Sequence, residues 1–396
     1  LAAVALGLLA ALLILEVAAR IFLYRYGQFI DRFEDTLAHE FGGELTLRDM
    51  IRASADKQEV YELVPGAWGR FLGQPLRINS QGFRDREHDV AKTTGTLRIA
   101  VIGDSIAFGW GVKEEERFSN LLEQMLATDA GTSAAHVEVL NFAVPGYNTV
   151  MEEGLLRARV LRYEPDVVVL NLVPNDDEIP NFIRLEPKVW ALDRSFIVEA
   201  IRDRLVGRPL GDTARLLIGG VAEAGGRGHG ARVLGYRPEL VPPEYRFLVG
   251  WENMEAALGR IRQLCGQRGI RAICLLHYDV DDLRQAIENG SQGENRMTAW
   301  AEAARKAGFE VVDPFPALVR HAHEHRLGVD AYILRPRDIH PSPLAHWLIA
   351  KVLAAHLRSA ANGPVERAAA TASLSNTSTE TGPQPPPAEG GTTGGR

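Results

Sequence analysis

The chain has 396 residues, 46% of them hydrophobic and 24% charged, with a formal net charge of −7. That composition is globular, and the length allows one large domain with additions or two domains. The acidic balance, with no basic stripe to neutralise phosphates, argues against nucleic acid as a partner. Two cysteines, Cys265 and Cys274, fall on a predicted helix and a predicted strand. They read as buried thiols rather than nucleophiles, and their spacing permits a disulfide without requiring one.

Leu1 to Leu15 is wholly apolar, and apolar character resumes around Glu16 and Arg20 as far as Tyr24. Roughly 20 apolar residues span a bilayer core, so residues 1–25 are expected to form a transmembrane anchor. The first residue is Leu rather than Met, which suggests an anchor whose start is missing. The i,i+4 pair Glu16/Arg20 then sits near the interface. A cleaved signal peptide competes, but no small-x-small cleavage site follows the run cleanly. A buried core helix is the remaining alternative.

Residues 26–95 form a polar lead-in, with helix-like charge patterning near Arg48–Lys57 and turn punctuation at Pro65-Gly66 and Asn79–Arg84. Short strands and turns that pack on the following domain are expected there, rather than a domain with its own core. From Leu97 the pattern becomes regular. Leu97–Ile102, Val137–Asn141, Asp166–Asn171, Ile270–Leu276 and Phe309–Val312 read as buried strands. Helical stretches at Arg117–Leu126, Met151–Arg162, Trp251–Gln267 and Met297–Ala307 separate most of them, and Leu344–Leu357 closes the domain. Alternation of this kind predicts right-handed βαβ units and a parallel sheet covered on both faces. The interval 178–250, far longer than an ordinary connection, is expected to be an inserted cap over the carboxyl edge of the sheet. The core thus runs over 96–358. The tail 359–396 has almost no apolar bulk and is expected to be disordered.

Chemistry is concentrated where predicted strands end. Gly103-Asp-Ser105 follows the first strand, so the Ser105 hydroxyl can face substrate while helix-forming N–H groups point toward it. An anion-binding turn, or simply a polar tight turn, reads the same three residues. Asn141-Phe-Ala-Val-Pro-Gly-Tyr-Asn148 follows the second strand and can present the Gly146 N–H. Asn171-Leu-Val-Pro-Asn-Asp-Asp177 follows the third and puts Asn175 at the edge. Asp338-Ile-His-Pro-Ser342 precedes the last helix. Converging on one edge, these stretches supply a hydroxyl nucleophile, an imidazole base, a carboxylate and oxyanion donors.

Taken in order, Gly103-Asp-Ser105, Gly146, Asn175-Asp176 and Asp338-x-His340 resemble the four blocks of the GDSL, or SGNH, esterase/lipase family. The resemblance covers residues 96–177 and 249–358. It implies an α/β fold: a flavodoxin-like, doubly wound, five-stranded parallel sheet with Ser105 as nucleophile and His340 as base. It also implies an oxyanion hole of the Ser105 N–H, the Gly146 N–H and the Asn175 side-chain amide, with no cofactor. The family's usual last block is Asp-x-x-His, but here Arg337 stands three before His340 and the carboxylate of Asp338 two before. Asp338 reaches the imidazole if the loop bends, as in related members with Asp-x-His. Ser105 lacks the second glycine of a Gly-x-Ser-x-Gly elbow and follows the first strand of its sheet, which argues against an α/β-hydrolase.

Other polar residues read as structural. His321-Ala-His-Glu-His325 has alternate spacing that does not align one helix face, so a solvated surface outweighs a metal site. His346 reads as a packed or capping residue and Asp104 as a scaffold for its turn. Asp176 and Asp177 read as loop or cap residues, while Trp110 and Tyr147 either line a pocket or pack. The expected protein is a membrane-anchored serine esterase acting outside the cytoplasm on a small-molecule or glycan ester, or on a lipid. Its rivals are an O-acyltransferase of cell-surface polysaccharide with the same site, and a non-catalytic glycan- or partner-binding module.

Overall fold

The apolar runs become strands of one sheet in a computed structural model of the chain. The structure describes residues 2–40, 45, 47–128, 136–178, 195, 197–198, 201, 243–290, 297–335 and 338–361. Six elements precede the sheet: α1 (Ala2–Glu40), α2 (Leu47–Met50), β1 (Ile51–Ala53), β2 (Tyr61–Leu63), β3 (Trp68–Phe71) and β4 (Gln74–Arg77). The core then runs β5 (Thr96–Ile102), α3 (Ser105–Phe108), α4 (Phe118–Ala127), β6 (His136–Asn141), α5 (Thr149–Leu155) and β7 (Val167–Leu172). After the insertion come α6 (Trp251–Gly266), β8 (Arg271–Leu276), α7 (Val280–Asn289), α8 (Thr298–Ala307), β9 (Glu310–Val312) and α9 (Phe315–His325). The hairpin of β10 (Ile333–Arg335) and β11 (Asp338–Pro341) leads into α10 (Pro343–Ala361).

The central sheet has five strands in the order β6-β5-β7-β8-β9, every neighbour pair parallel. This is the 2-1-3-4-5 order of the flavodoxin-like fold. Register pairs Ala100 with Leu140 on one side and Val168 on the other, so β5 is an interior strand. All six residues of β7 are buried, as expected for a strand covered on both faces. Helices α4, α9 and α10 pack on one another as one layer, and α5, α6 and α8 as the other. Cys265 and Cys274 are both free and buried in this core.

The segment before the sheet is tied to the core by buried polar side chains. Arg84 is fully buried, and its guanidinium donates to the carbonyls of Phe108, Gly109 and Val112. These carbonyls lie at and just beyond the end of α3, where a helix leaves acceptors unsatisfied. Burial and the neighbouring Arg117 pull the Arg84 guanidinium down to about 9. Arg117 donates to the Arg84 carbonyl and pairs with Asp85 at 3.3 Å, and Asp85 accepts the Asn141 N–H at 2.7 Å. Tyr61 O–H donates to the Pro145 carbonyl at 2.9 Å, and Tyr147 O–H donates back to the Tyr61 carbonyl. Tyr147 therefore packs rather than lining a pocket.

The helix-like charge pattern at 48–57 yields helix only over Leu47–Met50. Beyond it β1 pairs antiparallel with β2. The intervening turn forms because Ser54 Oγ accepts the Asp56 N–H (3.1 Å) and Asp56 Oδ1 accepts the Gln58 N–H (2.8 Å). Such local bonds from Ser and Asp compete successfully with helix.

Ala2–Ile21 is a 20-residue apolar span with none of its length buried in the fold. A membrane anchor and a signal sequence both use a helix of this length and composition. Glu16 pairs with Arg20 at 2.7 Å and accepts from the Ser195 hydroxyl and the Ile197 N–H, each at 3.0 Å. Most of the 178–250 interval, and the tail from 362 onward, lie outside the described residues. The two ends of the interval are described, and they are fastened together. Asn148 Nδ2 donates to the carbonyls of Glu178 (2.9 Å) and Leu248 (2.8 Å), and the Gly250 N–H donates to the Asp177 carbonyl (2.8 Å). The chain thus leaves and re-enters the core at one point, beside the β6 and β7 loops.

Candidate active site

Ser105 opens α3 directly after β5, an interior strand, so it stands at the carboxyl edge where the strand order reverses. In open α/β sheets that is where ligands bind. Asp104 caps the short helix, its Oδ1 accepting the Ile106 N–H at 2.9 Å, and its Oδ2 lies 3.4 Å from Ser105 Oγ. Burial raises the Asp104 carboxyl, against the pull of the Ile106 N–H and of His340.

The hairpin of β10 and β11 brings Asp338 and His340 to this serine. Asp338 Oδ1 lies 2.6 Å from His340 Nδ1, and His340 Nε2 lies 2.9 Å from Ser105 Oγ. With the proton on Nδ1 donated to the carboxylate, Nε2 is free to accept the serine hydroxyl proton. The two-residue spacing follows from the strand. Side chains at i and i+2 of a strand share a face, so Asp338 and His340 meet without the loop bend the sequence suggested. Burial pushes the Asp338 carboxyl up, but the hydrogen bond and charge of His340 outweigh it and hold the group below its usual range.

The other two blocks end the strands on either side of β5. The Pro145-Gly146 turn follows β6, with Gly146 at φ 75°, a left-handed conformation that suits glycine. Asn175 follows β7, in a turn closed by the Glu178 N–H on the Asn175 carbonyl at 3.0 Å. The Gly146 and Asn175 turns therefore flank the serine along one edge.

Behind the edge lies a buried acidic group that sequence reasoning placed only partly. Asp104, Glu152 and Asp176 are all buried. Asp176 Oδ2 accepts the Val173 N–H at 2.7 Å, shaping the turn that carries Asn175. Neither Glu152 oxygen has a hydrogen-bond partner among the described residues. Burial, then the charge of Asp104, raises Glu152 well above the ordinary carboxyl range. Burial and the charge of Glu152 do the same to Asp176. Desolvation alone lifts Asp177 to about 6. A carboxyl raised by folding keeps its proton while the unfolded chain releases it, so stability falls as pH rises above the ordinary carboxyl range. Each such proton costs up to about 1.4 kcal/mol per pH unit until the raised value is passed. Glu152→Gln should therefore flatten the decline of the melting temperature between pH 5 and pH 8. Identical slopes for variant and wild type would contradict a protonated Glu152.

The histidines separate by burial. His346 is fully buried, stacks on Phe118, and its Nδ1 accepts the Phe118 N–H (3.3 Å) at the start of α4, a capping role. Burial drops it to about 3. On α9, His323 and His325 are exposed, while His321 is half-buried with Nδ1 2.9 Å from the Tyr332 hydroxyl. His277 was not singled out from sequence. It ends β8 on the active edge, and burial together with the charge of His340 depresses it to about 3. Trp110, left between pocket and packing, is half-buried and stacks on His340.

Solved structures similar to the chain have low identity. They include a two-domain esterase active on acetylated mannans (14% identity, 68% of this chain and 50% of that one, TM-score 0.39). The chain therefore spans half the length of that esterase. Also similar are the lipase/acylhydrolase from Enterococcus faecalis (15%, 66% and 96%, TM-score 0.35) and an acetyl xylan esterase (13%, 65% and 98%, TM-score 0.37). No curated protein sequence matches the chain. The model of the GDSL-like lipase/acylhydrolase family matches residues 101–348, from the end of β5 into α10. The other four strands of the sheet and the edge just described fall within that match, and the chain belongs to this family of ester hydrolases.

Proposed function

We propose that the protein is a serine esterase that cleaves a carboxylic ester through an acyl-enzyme on Ser105. The observation that carries this reading is the continuous relay Asp338–His340–Ser105, with heavy-atom separations of 2.6 and 2.9 Å, at the carboxyl end of β5. As Ser105 Oγ attacks the acyl carbonyl, His340 Nε2 takes its proton. Asp338 fixes the imidazole tautomer and stabilises the imidazolium. The tetrahedral oxyanion is held by the Ser105 N–H, the Gly146 N–H and the Asn175 amide. Collapse breaks the bond to the alcohol oxygen, which leaves with the proton from Nε2. Water then enters along the same path, gives a proton to His340, and releases the carboxylic acid and Ser105.

Asn175 is assigned the side-chain donor of the hole. Loss of one such donor costs roughly 3 kcal/mol in the transition state. Asn175→Ala should accordingly lower kcat about a hundredfold with little change in KM. An effect confined to KM would move Asn175 into substrate binding.

The wider reading places the domain outside the cytoplasm, held by residues 1–25 as an anchor, with the 178–250 insertion as a cap that selects among glycan O-acyl and lipid esters. The distinguishing experiment feeds the protein p-nitrophenyl esters of increasing acyl length, with and without an oligosaccharide acceptor. Hydrolysis with free carboxylate as the product supports the esterase. Acyl transfer to the sugar at the expense of hydrolysis would make the protein an acyltransferase, and turnover of no ester would leave only a binding module.

A further inference from the structure

The hairpin that carries the acid–base pair is small and open. β10 and β11 have three and four residues, and the side chains of Asp338 and His340 are still 27% and 23% exposed. A two-stranded ribbon this short does not hold a side chain in one orientation by itself. Two half-exposed groups that must stay aligned to within a fraction of an ångström need support from elsewhere.

Trp110 lies where that support is needed. Its ring stacks on the His340 imidazole, with centroids 5.0 Å apart and planes inclined by 16°. On another side the indole meets Phe71 of β3 edge-on, at 4.8 Å and 89°. The Trp110 backbone N–H donates to the Ser105 carbonyl at 3.1 Å, so the indole is built from the same turn as the serine. Gly111, at φ 69°, lets that turn press against the hairpin. A Cβ there would stand 2.5 Å from Leu334 Cδ1.

We propose that Trp110 is the positioning residue of the site, clamping His340 by its ring face so that Nε2 stays aimed at Ser105. This rests on reading Ser105 as nucleophile and His340 as base. The ring has a second effect. An indole face attracts the imidazolium that forms when Nε2 takes the proton, and Trp is the strongest of the aromatic side chains in this respect. Phe71 backs the indole, so the segment before the sheet contributes to the geometry of catalysis as well as to the core.

The test compares wild type, Trp110→Phe and Trp110→Leu in the full chain. It uses steady-state kinetics on p-nitrophenyl acetate across pH, melting temperatures, and fluorophosphonate labelling of the wild type. Trp110→Phe keeps a ring against His340 but one that attracts a cation less strongly, so the acid limb of kcat/KM moves to lower pH by a few tenths of a unit. Trp110→Leu removes the ring altogether. Its limb lies below that of the Phe variant, and its kcat falls about ten- to a hundredfold with KM within twofold. A packing role alone would lower melting temperatures without separating the limbs. Coincident limbs in wild type and Trp110→Phe overturn the proposal, even if the Leu variant fails to fold. A loss of activity carried by KM overturns it as well. Labelling at Ser105 in wild type alongside coincident limbs leaves the esterase reading standing and removes only the role of Trp110. Labelling elsewhere removes both.

Discussion

Ser105→Ala should lower the turnover of any ester by about three orders of magnitude or more, leaving only what the oxyanion donors and substrate binding achieve without a nucleophile. A thousandfold loss corresponds to about 4 kcal/mol of transition-state stabilisation. The fold should not register the change. Ser105 is half-buried at the edge, and among the described residues its Oγ bonds to His340 and, at 3.4 Å, Asp104. The cap of α3 is the Asp104 side chain, which the substitution leaves in place. The melting temperature should therefore stay near that of wild type while kcat collapses. Turnover within tenfold of wild type would remove Ser105 from the chemistry.

Asp338→Asn is the second large effect, and it separates orientation from charge. The substituted amide has nearly the shape of the carboxylate and can still occupy the position 2.6 Å from Nδ1. Its NH2 group, however, offers a proton where Nδ1 presents one. The favourable response is for the imidazole to carry its proton on Nε2 instead. Ser105 O–H then faces an N–H, and general-base catalysis is lost although every atom is near its place. The imidazolium formed on attack also loses the neighbouring negative charge. The expected fall in kcat is about a hundred- to ten-thousandfold at neutral pH, with KM little changed. His340 holds the Asp338 carboxyl below its ordinary range, so wild type keeps this carboxylate ionised as pH falls into the ordinary carboxyl range. Activity should thus show no separate loss from protonation of Asp338 in that range. Near-wild-type turnover of Asp338→Asn would reduce the machinery to a Ser105–His340 pair.

The sheet was legible because its strands are uninterrupted apolar runs, buried on both faces, and each expected strand lies within a residue or so of its observed bounds. Gly103-Asp-Ser105, Gly146 and Asn175 could be placed for the same reason, since a residue just past such a run must stand at the sheet edge. Asp338 was harder. Its spacing from His340 looked short because the segment was read as loop, and β10 and β11 are too brief to show strand alternation. What the sequence concealed is mostly long-range polar structure. Arg84 and Arg117 look like surface charges, yet both are buried in the joint between the lead-in and the core. Asn148 reads as part of a turn, yet it pins both ends of the insertion. Glu152 falls on an ordinary helical pattern, yet its carboxyl is fully buried, close enough to Asp104 and Asp176 for their charges to act on one another. Trp110 was ambiguous because stacking on His340 joins positions 230 residues apart, which no local pattern encodes.

The account stands or falls on an acyl-enzyme at Ser105, and mapping the adduct of an active-site phosphonylating reagent tests it most directly. The full chain, treated with a fluorophosphonate and digested, should yield one modified peptide. That adduct should sit on Ser105 within the Ile102-Gly-Asp-Ser-Ile-Ala-Phe-Gly-Trp110 stretch, with ester hydrolysis lost in proportion. An adduct on another residue, or unmodified protein that still hydrolyses esters in excess reagent, would contradict it.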